Sequence, residues 1–246
     1  MESAIQTHIG CVRQTNEDSG VINRFDNGWV LAIVADGMGG HQAGDVASQM
    51  AVKIITDYMQ GVEETTPDAL QSKLNEAIQL ANQQIFSYAA SHEECRGMGT
   101  TVVLALVNEQ VAILAHIGDS RIYRYHDSDL MQITNDHTLV NELVRNHQIT
   151  AQEAANHPQR NILTRALGTD QSVKADFTVL TWDPMDILLL CSDGLSGKVR
   201  TETMTEILHN GSLENMVEKL ITRALESGGE DNITVILLRN QTRYSG

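Results

Sequence analysis

Short apolar runs bounded by turn-forming residues recur along the chain, and segments with helical periodicity separate some of them. The run at 29–36 is almost continuously apolar, which is typical of a buried strand. Short polar turns join 100–107 to 111–118 and 121–125 to 130–134, so each pair predicts an antiparallel hairpin. The whole stretch resembles a meander, which disfavours a parallel doubly wound fold.

Two helices are predicted after the first of these strands. The segment 44–60 carries apolar residues at helical spacing, and Asp45 near its start complements the helix dipole. A second helix opens at Thr66 and Pro67, which suit the N-cap and the first turn, and its apolar positions continue to Ile85. We expect these two helices to cover one face of a sheet.

The pattern loosens between residues 136 and 165. Two short helical pieces are predicted there, 139–147 and 150–156, and Pro158 ends the second. We interpret residues 136–165 as a mobile flap subdomain inserted within the rest of the fold.

Strand-like segments resume at 174–181 and 186–192, and a helix follows around 217–224. The glycines at 228–229 end that helix before a last strand. The chain has 246 residues, 41% of them hydrophobic, and shows no internal repeat or linker. It therefore suits a single domain of residues 1–246.

Charge and cysteine usage narrow the range of partners and compartments. A formal net charge of -15 argues against nucleic acid or an anionic membrane surface as the main partner. The amino terminus lacks a signal peptide and no apolar run approaches a bilayer span, so we expect no membrane insertion. Cys11, Cys95 and Cys191 lack the spacing of a zinc knuckle or redox pair, which favours a reducing, cytoplasmic setting.

Four aspartates stand where apolar runs begin or end: Asp36, Asp119, Asp193 and Asp231. Each alone is an ordinary turn signal. Together they predict a metal site, because carboxylates gathered at the rim of an apolar sheet need cations to neutralise them. The glycine-rich stretch 36–40 favours the same view, since glycine lets backbone carbonyls approach a ligand. Carboxylate oxygens suit magnesium or manganese better than zinc.

Arg13 stands among acidic and polar residues and has two interpretations. Its guanidinium could grip a phosphoryl group in a bidentate manner. It could instead form a surface ion pair with Glu17, and spacing alone favours this second interpretation.

The sequence signatures of three known phosphatase mechanisms are absent here. A phosphatase with a cysteine nucleophile needs an arginine six positions after that cysteine, and none of the three cysteines has one. The segment 127–131 only weakly imitates an aspartyl-phosphate loop and lies in a predicted hairpin turn. Gly118-Asp119 lacks the nearby histidine of a metallophosphoesterase.

Six segments taken together resemble the metal-dependent protein phosphatase family, type 2C. They are GCVRQTNED at 10–18, VADGMGGHQAG at 34–44, GTT at 99–101, HIGDSR at 116–121, SDG at 192–194 and DNIT at 231–234. The match runs from about residue 7 to 238, and NILTRALG at 161–168 with the preceding insertion is similar to the bacterial PrpC/Stp group. The resemblance implies an α+β fold, a central antiparallel β-sandwich flanked by helix pairs in α-β-β-α layers.

The resemblance also implies two to three Mg or Mn ions. Asp36 would bridge two of them, the Gly37 carbonyl would join one, and Asp193 and Asp231 would hold the other. Asp119 would help to bind a third, weaker ion. A metal-bridging water would attack phosphorus in line, so no phosphoenzyme is expected.

Further residues gain roles from the same resemblance. Arg13 would hold the substrate phosphate, while Glu17 and Asp18 would orient metal-bound waters. Many eukaryotic members place a histidine two residues after the bridging aspartate, whereas this chain has Met38. His41 could protonate the leaving oxygen, but a metal-bound water or a flap residue could do so as well.

The implied activity is hydrolysis of phosphoserine and phosphothreonine in proteins, by a cytoplasmic and monomeric enzyme that counteracts a bacterial membrane serine/threonine kinase. Two alternatives stay open from the residues alone. One is a catalytically silent phosphopeptide-binding or metal-sensing regulator, and the other is a small-molecule or nucleotide phosphatase that uses the same centre.

Overall fold

The computed structural model describes residues 1–39, 43–63 and 66–241. Strands and helices alternate irregularly along this part of the chain. The strands are β1 (Glu2–His8), β2 (Asp18–Arg24), β3 (Val30–Met38), β4 (Gly99–Thr100), β5 (Val102–Val107), β6 (Val111–Ile117), β7 (Arg121–His126), β8 (Asp129–Gln132), β9 (Asp176–Thr181), β10 (Ile187–Cys191) and β11 (Ile233–Arg239). The helices are α1 (Ala43–Met59), α2 (Pro67–Ser91), α3 (Leu139–Arg145), α4 (Ala151–Ala155), α5 (Asp193–Ser196), α6 (Thr201–Leu208) and α7 (Leu213–Glu226).

Two antiparallel sheets form the centre of the fold. The first has the order β1-β11-β10-β7-β8, and the second has the order β2-β3-β5-β6-β9, with β4 paired to β3. Helices α1 and α2 pack on the second sheet, and α6 and α7 pack on the first. This arrangement confirms the predicted α-β-β-α sandwich.

Strand β3 shows why its sequence is apolar throughout. Ile33 faces the core beneath α1 and α2, whereas Ala32 and Val34 face the core between the two sheets. Since successive side chains of a strand point to opposite faces, a strand buried on both faces needs apolar residues at every position.

Both predicted hairpins are present, but they do not form one continuous meander, because they lie in different sheets. Strands β5 and β6 pair in the second sheet, and β7 and β8 pair in the first. The chain crosses between sheets at Gly118, which adopts a φ of +102°. A Cβ there would lie 2.6 Å from Thr101 Cγ2, so the crossing requires glycine.

Helices α1 and α2 match the predicted segments closely, and Asp45 lies in the first turn of α1. Pro67 opens α2, and Thr66 occupies the N-cap position, yet its side chain makes no capping hydrogen bond. Strands β1 and β2 and helices α5 and α6 were not predicted.

The flap segment, defined as residues 136–165, contains α3 and α4 at the positions of the two predicted helical pieces. Thr150 and Glu153 form a reciprocal capping box at the start of α4. The two ends of the segment are joined by a hydrogen bond from Thr164 N to His137 O at 2.8 Å. Among the described residues, no helix has the length and apolar character needed to cross a bilayer.

Candidate metal centre

A cleft of about 440 Å³ opens at the rim of the two sheets. It gathers residues that lie far apart in the sequence. Its lining consists of Arg13, Glu17, Asp36, Gly37, Met38, Gly39, Thr101, Asp119, Asn161, Leu163, Asp193 and Asp231. All the residues that the sequence predicts to bind metal or phosphate therefore line one cavity.

Strand ends place the carboxylates at this rim. Asp36 lies near the end of β3, opposite Asp18 at the start of β2. Asp193 opens α5 just after β10, and Asp231 precedes β11 by two residues. Asp119 follows the glycine at which the chain crosses between sheets. Antiparallel neighbours thus bring ends and beginnings of strands to the same edge.

Asp18 lies behind the cleft wall and is only 8% exposed. Ser192 Oγ donates to Asp18 Oδ2 at 2.7 Å, while Asp18 Oδ1 is buried without a hydrogen-bond partner among the described residues. Burial raises the pKa of Asp18 to about 7, although the hydrogen bonds from Ser192 and Thr234 oppose that shift. An orphaned buried carboxylate oxygen calls for a partner that this part of the chain does not provide.

The other carboxylates are perturbed in the same direction. Burial raises the pKa of Asp36 well above its usual value, and the charges of Asp18 and Asp193 add to the effect. Burial, then the charge of Asp193, raises the pKa of Asp119 to about 7. Burial and the charge of Asp231 raise the pKa of Asp193, while a hydrogen bond with Asp36 opposes this. These carboxylates are partly buried and repel one another, and a bound cation would relieve that repulsion.

The backbone around Asp36 is fixed by two threonines. Thr101 N and Thr100 Oγ1 both donate to Asp36 O at 2.9 Å. Asp36 N donates to Thr101 Oγ1 at 3.0 Å, and that hydroxyl also contacts Ser120 Oγ at 2.7 Å. These bonds connect Asp36 to the turn that carries Asp119, so the two carboxylates have a shared support.

Gly37 occupies a position where no side chain fits. A Cβ there would lie 2.0 Å from Gly44 O and 2.7 Å from Glu17 O. Its backbone therefore packs directly against the neighbouring chain segments at the cleft. Met38 is half-buried and lines the same cleft. His41, the candidate proton donor, lies outside the described residues.

Arg13 has a different ion-pair partner from the one considered in the sequence. Its Nη2 donates to Asp231 Oδ2 at 2.8 Å, and its side chain is 48% exposed. The bond to Asp231 raises the pKa of Arg13. Burial raises the pKa of Glu17, while the nearby Arg13 lowers it. The guanidinium thus stands at the open edge of the cleft with one side turned to solvent.

Asn232 belongs to the DNIT segment at 231–234, and the sequence alone predicts no role for it. Its Nδ2 donates to Ile9 O at 2.9 Å and Thr15 O at 3.0 Å, and its Oδ1 accepts from Glu17 N at 2.7 Å. The buried amide therefore fastens the loop that carries Arg13 to the start of β11. An asparagine directly after an inferred metal ligand was the available signal, but its partners become visible only in the fold.

Sequence reasoning also missed a cluster of His116, His137 and Asp176, which are distant in the chain but close in space. Three of its four ring nitrogens already have hydrogen-bond partners. His116 Nε2 bonds to Asn135 O at 2.9 Å, and His137 bonds to Gly118 N and Asp176. The cluster is therefore a hydrogen-bonded structural network beside Asp119. The flap residues Asn161 and Leu163, which line the cleft, were likewise not identified individually.

The donor set fits hard divalent cations. Carboxylate oxygens from several chain segments converge, one of the associated oxygens lacks a partner, and the ionised forms repel one another. Magnesium and manganese prefer oxygen ligands of this kind. The same charge distribution, with Arg13 at its edge, also suits a phosphoryl group held between cations and a guanidinium.

Comparison with known proteins agrees with this geometry. The sequence profile of the family described as "Protein phosphatase 2C" matches residues 8–237. The chain is 42% identical to the "Serine/threonine phosphatase stp" of Listeria welshimeri over 100% of this chain and 98% of that protein. It superposes on the serine/threonine phosphatase Stp1 from Staphylococcus aureus with a TM-score of 0.93, 37% identity and coverage of 98% and 95% of the two chains.

A further similar structure is the catalytic domain of the serine threonine protein phosphatase PstP in complex with two manganese ions. The TM-score is 0.84 at 37% identity, and the alignment covers 96% of each chain. The family profile, the full-length sequence relatives and the structural neighbours all lead to one assignment. The chain belongs to the protein phosphatase 2C family.

Proposed function

We propose that this protein hydrolyses phosphoserine and phosphothreonine in proteins with the help of two to three magnesium or manganese ions. The observation that carries the proposal is the convergence of Asp36, Asp119, Asp193 and Asp231 on one cleft, with the unpaired oxygen of Asp18 behind it. Membership of a protein phosphatase family, together with a relative that binds two manganese ions, supports the same reaction.

Each carboxylate has a proposed place in the centre. Asp36 and the Gly37 carbonyl would hold the first ion, and Asp36 would share the second with Asp193 and Asp231. Asp119 would contribute to a weaker third site. When bound, such ions lower the pKa of coordinated water and neutralise phosphoryl oxygens, which favours in-line attack by water on phosphorus.

The protein's own side chains would orient the reactants. The exposed side of the Arg13 guanidinium can donate to two oxygens of the substrate phosphate. Asp18 Oδ1 can accept a hydrogen bond from a water and so fix its orientation. Glu17, half-buried in the cleft wall, can do the same.

The cellular setting is part of the proposal. We propose that the substrates include a membrane serine/threonine kinase and its targets, and that the enzyme acts as a cytoplasmic monomer. The three free cysteines are compatible with a reducing compartment. The net charge of -15 disfavours nucleic acid as a partner.

Hydrolysis of a phosphothreonine peptide, measured with and without manganese, tests the proposal. Asp36→Asn and Asp193→Asn should each lower kcat/KM at least about 100-fold, because a bound ion supplies several kcal/mol of transition-state stabilisation. Asp57→Asn, an exposed carboxylate on α1, is the matched control and should retain full activity. Unchanged turnover in the two cleft variants would refute the metal mechanism.

Two further arms separate the remaining functions. A nucleotide phosphatase would hydrolyse nucleoside phosphates with a higher kcat/KM than phosphopeptides, whereas we expect the reverse. A silent regulator would bind the phosphopeptide without turnover at any manganese concentration. Either result would replace the proposed activity.

A further inference from the structure

His137 lies where the flap segment leaves the sheets, and its side chain is only 4% exposed. It binds both backbone polar groups of one residue. His137 N donates to Gly118 O at 2.9 Å, and Gly118 N donates to His137 Nδ1 at 3.1 Å. Gly118 directly precedes Asp119, so this two-point contact fixes the turn from which Asp119 enters the cleft.

The imidazole itself is held in one orientation. Because Nδ1 accepts from Gly118, the proton of the neutral ring resides on Nε2. Arg165 Nη1 lies 3.2 Å from Nε2, but a guanidinium only donates, so the Nε2 proton is donated to Asp176 Oδ2 at 3.2 Å. Arg165 Nη1 holds the same carboxylate through Oδ1 at 3.0 Å. The His116 ring stacks on the His137 ring with centroids 4.6 Å apart. The ring cannot rotate without losing several of these contacts.

The main chain of the same residue secures the other wall of the cleft. His137 O accepts from Thr164 N at 2.8 Å, and Leu139 N donates to Ile162 O at 2.9 Å. These bonds hold the returning end of the flap segment, where Asn161 and Leu163 line the cleft. One buried residue therefore contacts both the Asp119 turn and the base of the flap segment.

We propose that His137 is a positioning residue that couples the flap segment to the Asp119 turn. Through its imidazole and backbone it sets the distance between Asp119 on one wall and Asn161 and Leu163 on the other. Its predicted effect on turnover rests on the proposed phosphatase function, whereas its effect on the turn does not.

Two amide variants separate the two ends of the ring. His137→Asn places an acceptor near the position of Nδ1 and can keep the bond from Gly118 N, but it does not reach Asp176. His137→Gln places its amide near the position of Nε2 and can keep Asp176, but it leaves Gly118 N without a partner. His137→Phe preserves the stacked ring and loses both bonds.

Amide hydrogen exchange of the metal-free protein, resolved by residue, is the first measurement. His137→Gln and His137→Phe should accelerate exchange at Gly118 by about tenfold or more, since a buried N–H loses its acceptor. His137→Asn should stay within about threefold of the wild type. Equal acceleration in all three variants would show general loosening and would overturn the proposal.

Phosphopeptide hydrolysis at varied manganese is the second measurement. We expect His137→Gln to need about tenfold more manganese for half-maximal activity, and His137→Asn to need about the wild-type concentration. A fully active His137→Gln enzyme with unchanged manganese demand would contradict the coupling. If the wild type itself hydrolyses no phosphopeptide, the proposed function fails, while the exchange result still decides the role of His137 at the turn.

Discussion

Replacing Asp18 by asparagine should stabilise the protein in the absence of metal. The native carboxylate is 8% exposed, accepts from Ser192 Oγ through Oδ2, and has a second oxygen with no partner in the described part of the chain. The amide keeps nearly the same shape and can still accept from Ser192. It removes one negative charge from a site that also contains Asp36 and Asp193.

The size of the effect follows from the pKa of Asp18. A pKa raised from 3.8 to about 7 means that the ionised Asp18 destabilises the folded protein by roughly 4 kcal/mol at pH 8. The unpaired NH₂ of the amide offsets about 1–3 kcal/mol of this. We therefore expect Asp18→Asn to raise the free energy of unfolding by roughly 1–3 kcal/mol at pH 8.

The sign with pH is fixed by linkage. The folded metal-free protein binds more protons than the unfolded chain between pH 3.8 and about 7, so wild-type stability falls as pH rises through that window. The gain from Asp18→Asn should therefore be present at pH 8 and shrink towards pH 5. With saturating manganese the order should reverse, because the carboxylate then has cations to face.

Urea denaturation of EDTA-treated protein at pH 5 and pH 8, repeated with manganese, measures all of these terms. Asp57→Asn is the control for loss of one surface charge. A destabilised Asp18→Asn protein at pH 8 without metal, or a difference independent of pH, would refute the reasoning.

Three further changes have defined outcomes. Arg13→Ala should raise KM for a phosphopeptide about 10- to 100-fold with little change in kcat, since a charge-assisted contact to phosphate is lost; an unaltered KM would count against the phosphate role. Gly37→Ala should abolish activity and cost about 1–3 kcal/mol in unfolding free energy, because its Cβ would overlap Gly44 O. Gly61→Ala meets open space far from the cleft, so it should stay fully active and lose only the stability that its positive φ of +77° costs an alanine. The bond to Asp186 raises the pKa of His126, so the stability lost in His126→Asn should be largest below about pH 6.5 and vanish as pH rises through the folded-state pKa. Urea midpoints of the wild type and the variant at pH 5.5 and 8.5 would show this. A difference between the two midpoints that grows with pH would contradict it.

Much of the fold was predictable because local patterns and tertiary burial agree. Strand β3 is buried on both faces, so its apolar run identified it, and the turn at Asp127 and Ser128 adopts the positive φ angles of a tight hairpin. Strands β1 and β2 were missed because each mixes polar and apolar residues at partly exposed positions. The crossing at Gly118 was missed because sheet membership depends on packing between distant segments.

The candidate site divides in the same way. Asp36 and Asp193 stand beside strand ends that the sequence marks, so their convergence could be anticipated from the resemblance. The burial of Asp18 and the bonds of Asn232 could not, because they depend on partners about 174 and 215 positions away. The single-domain organisation, the mobility of residues 136–165 and the individual catalytic roles stay predictions.

Calorimetric titration of the metal-free protein with manganese, at pH 6.5 in two buffers of different ionisation enthalpy, tests the central claim most directly. We predict at least two bound ions and a net release of protons, because Asp18 and Asp119 have pKa values near 7 before metal binds. Asp36→Asn should remove most of the binding and the proton release. A wild-type protein that shows no saturable manganese binding would contradict a carboxylate-held metal centre. Binding that is unchanged in Asp36→Asn would contradict it as well.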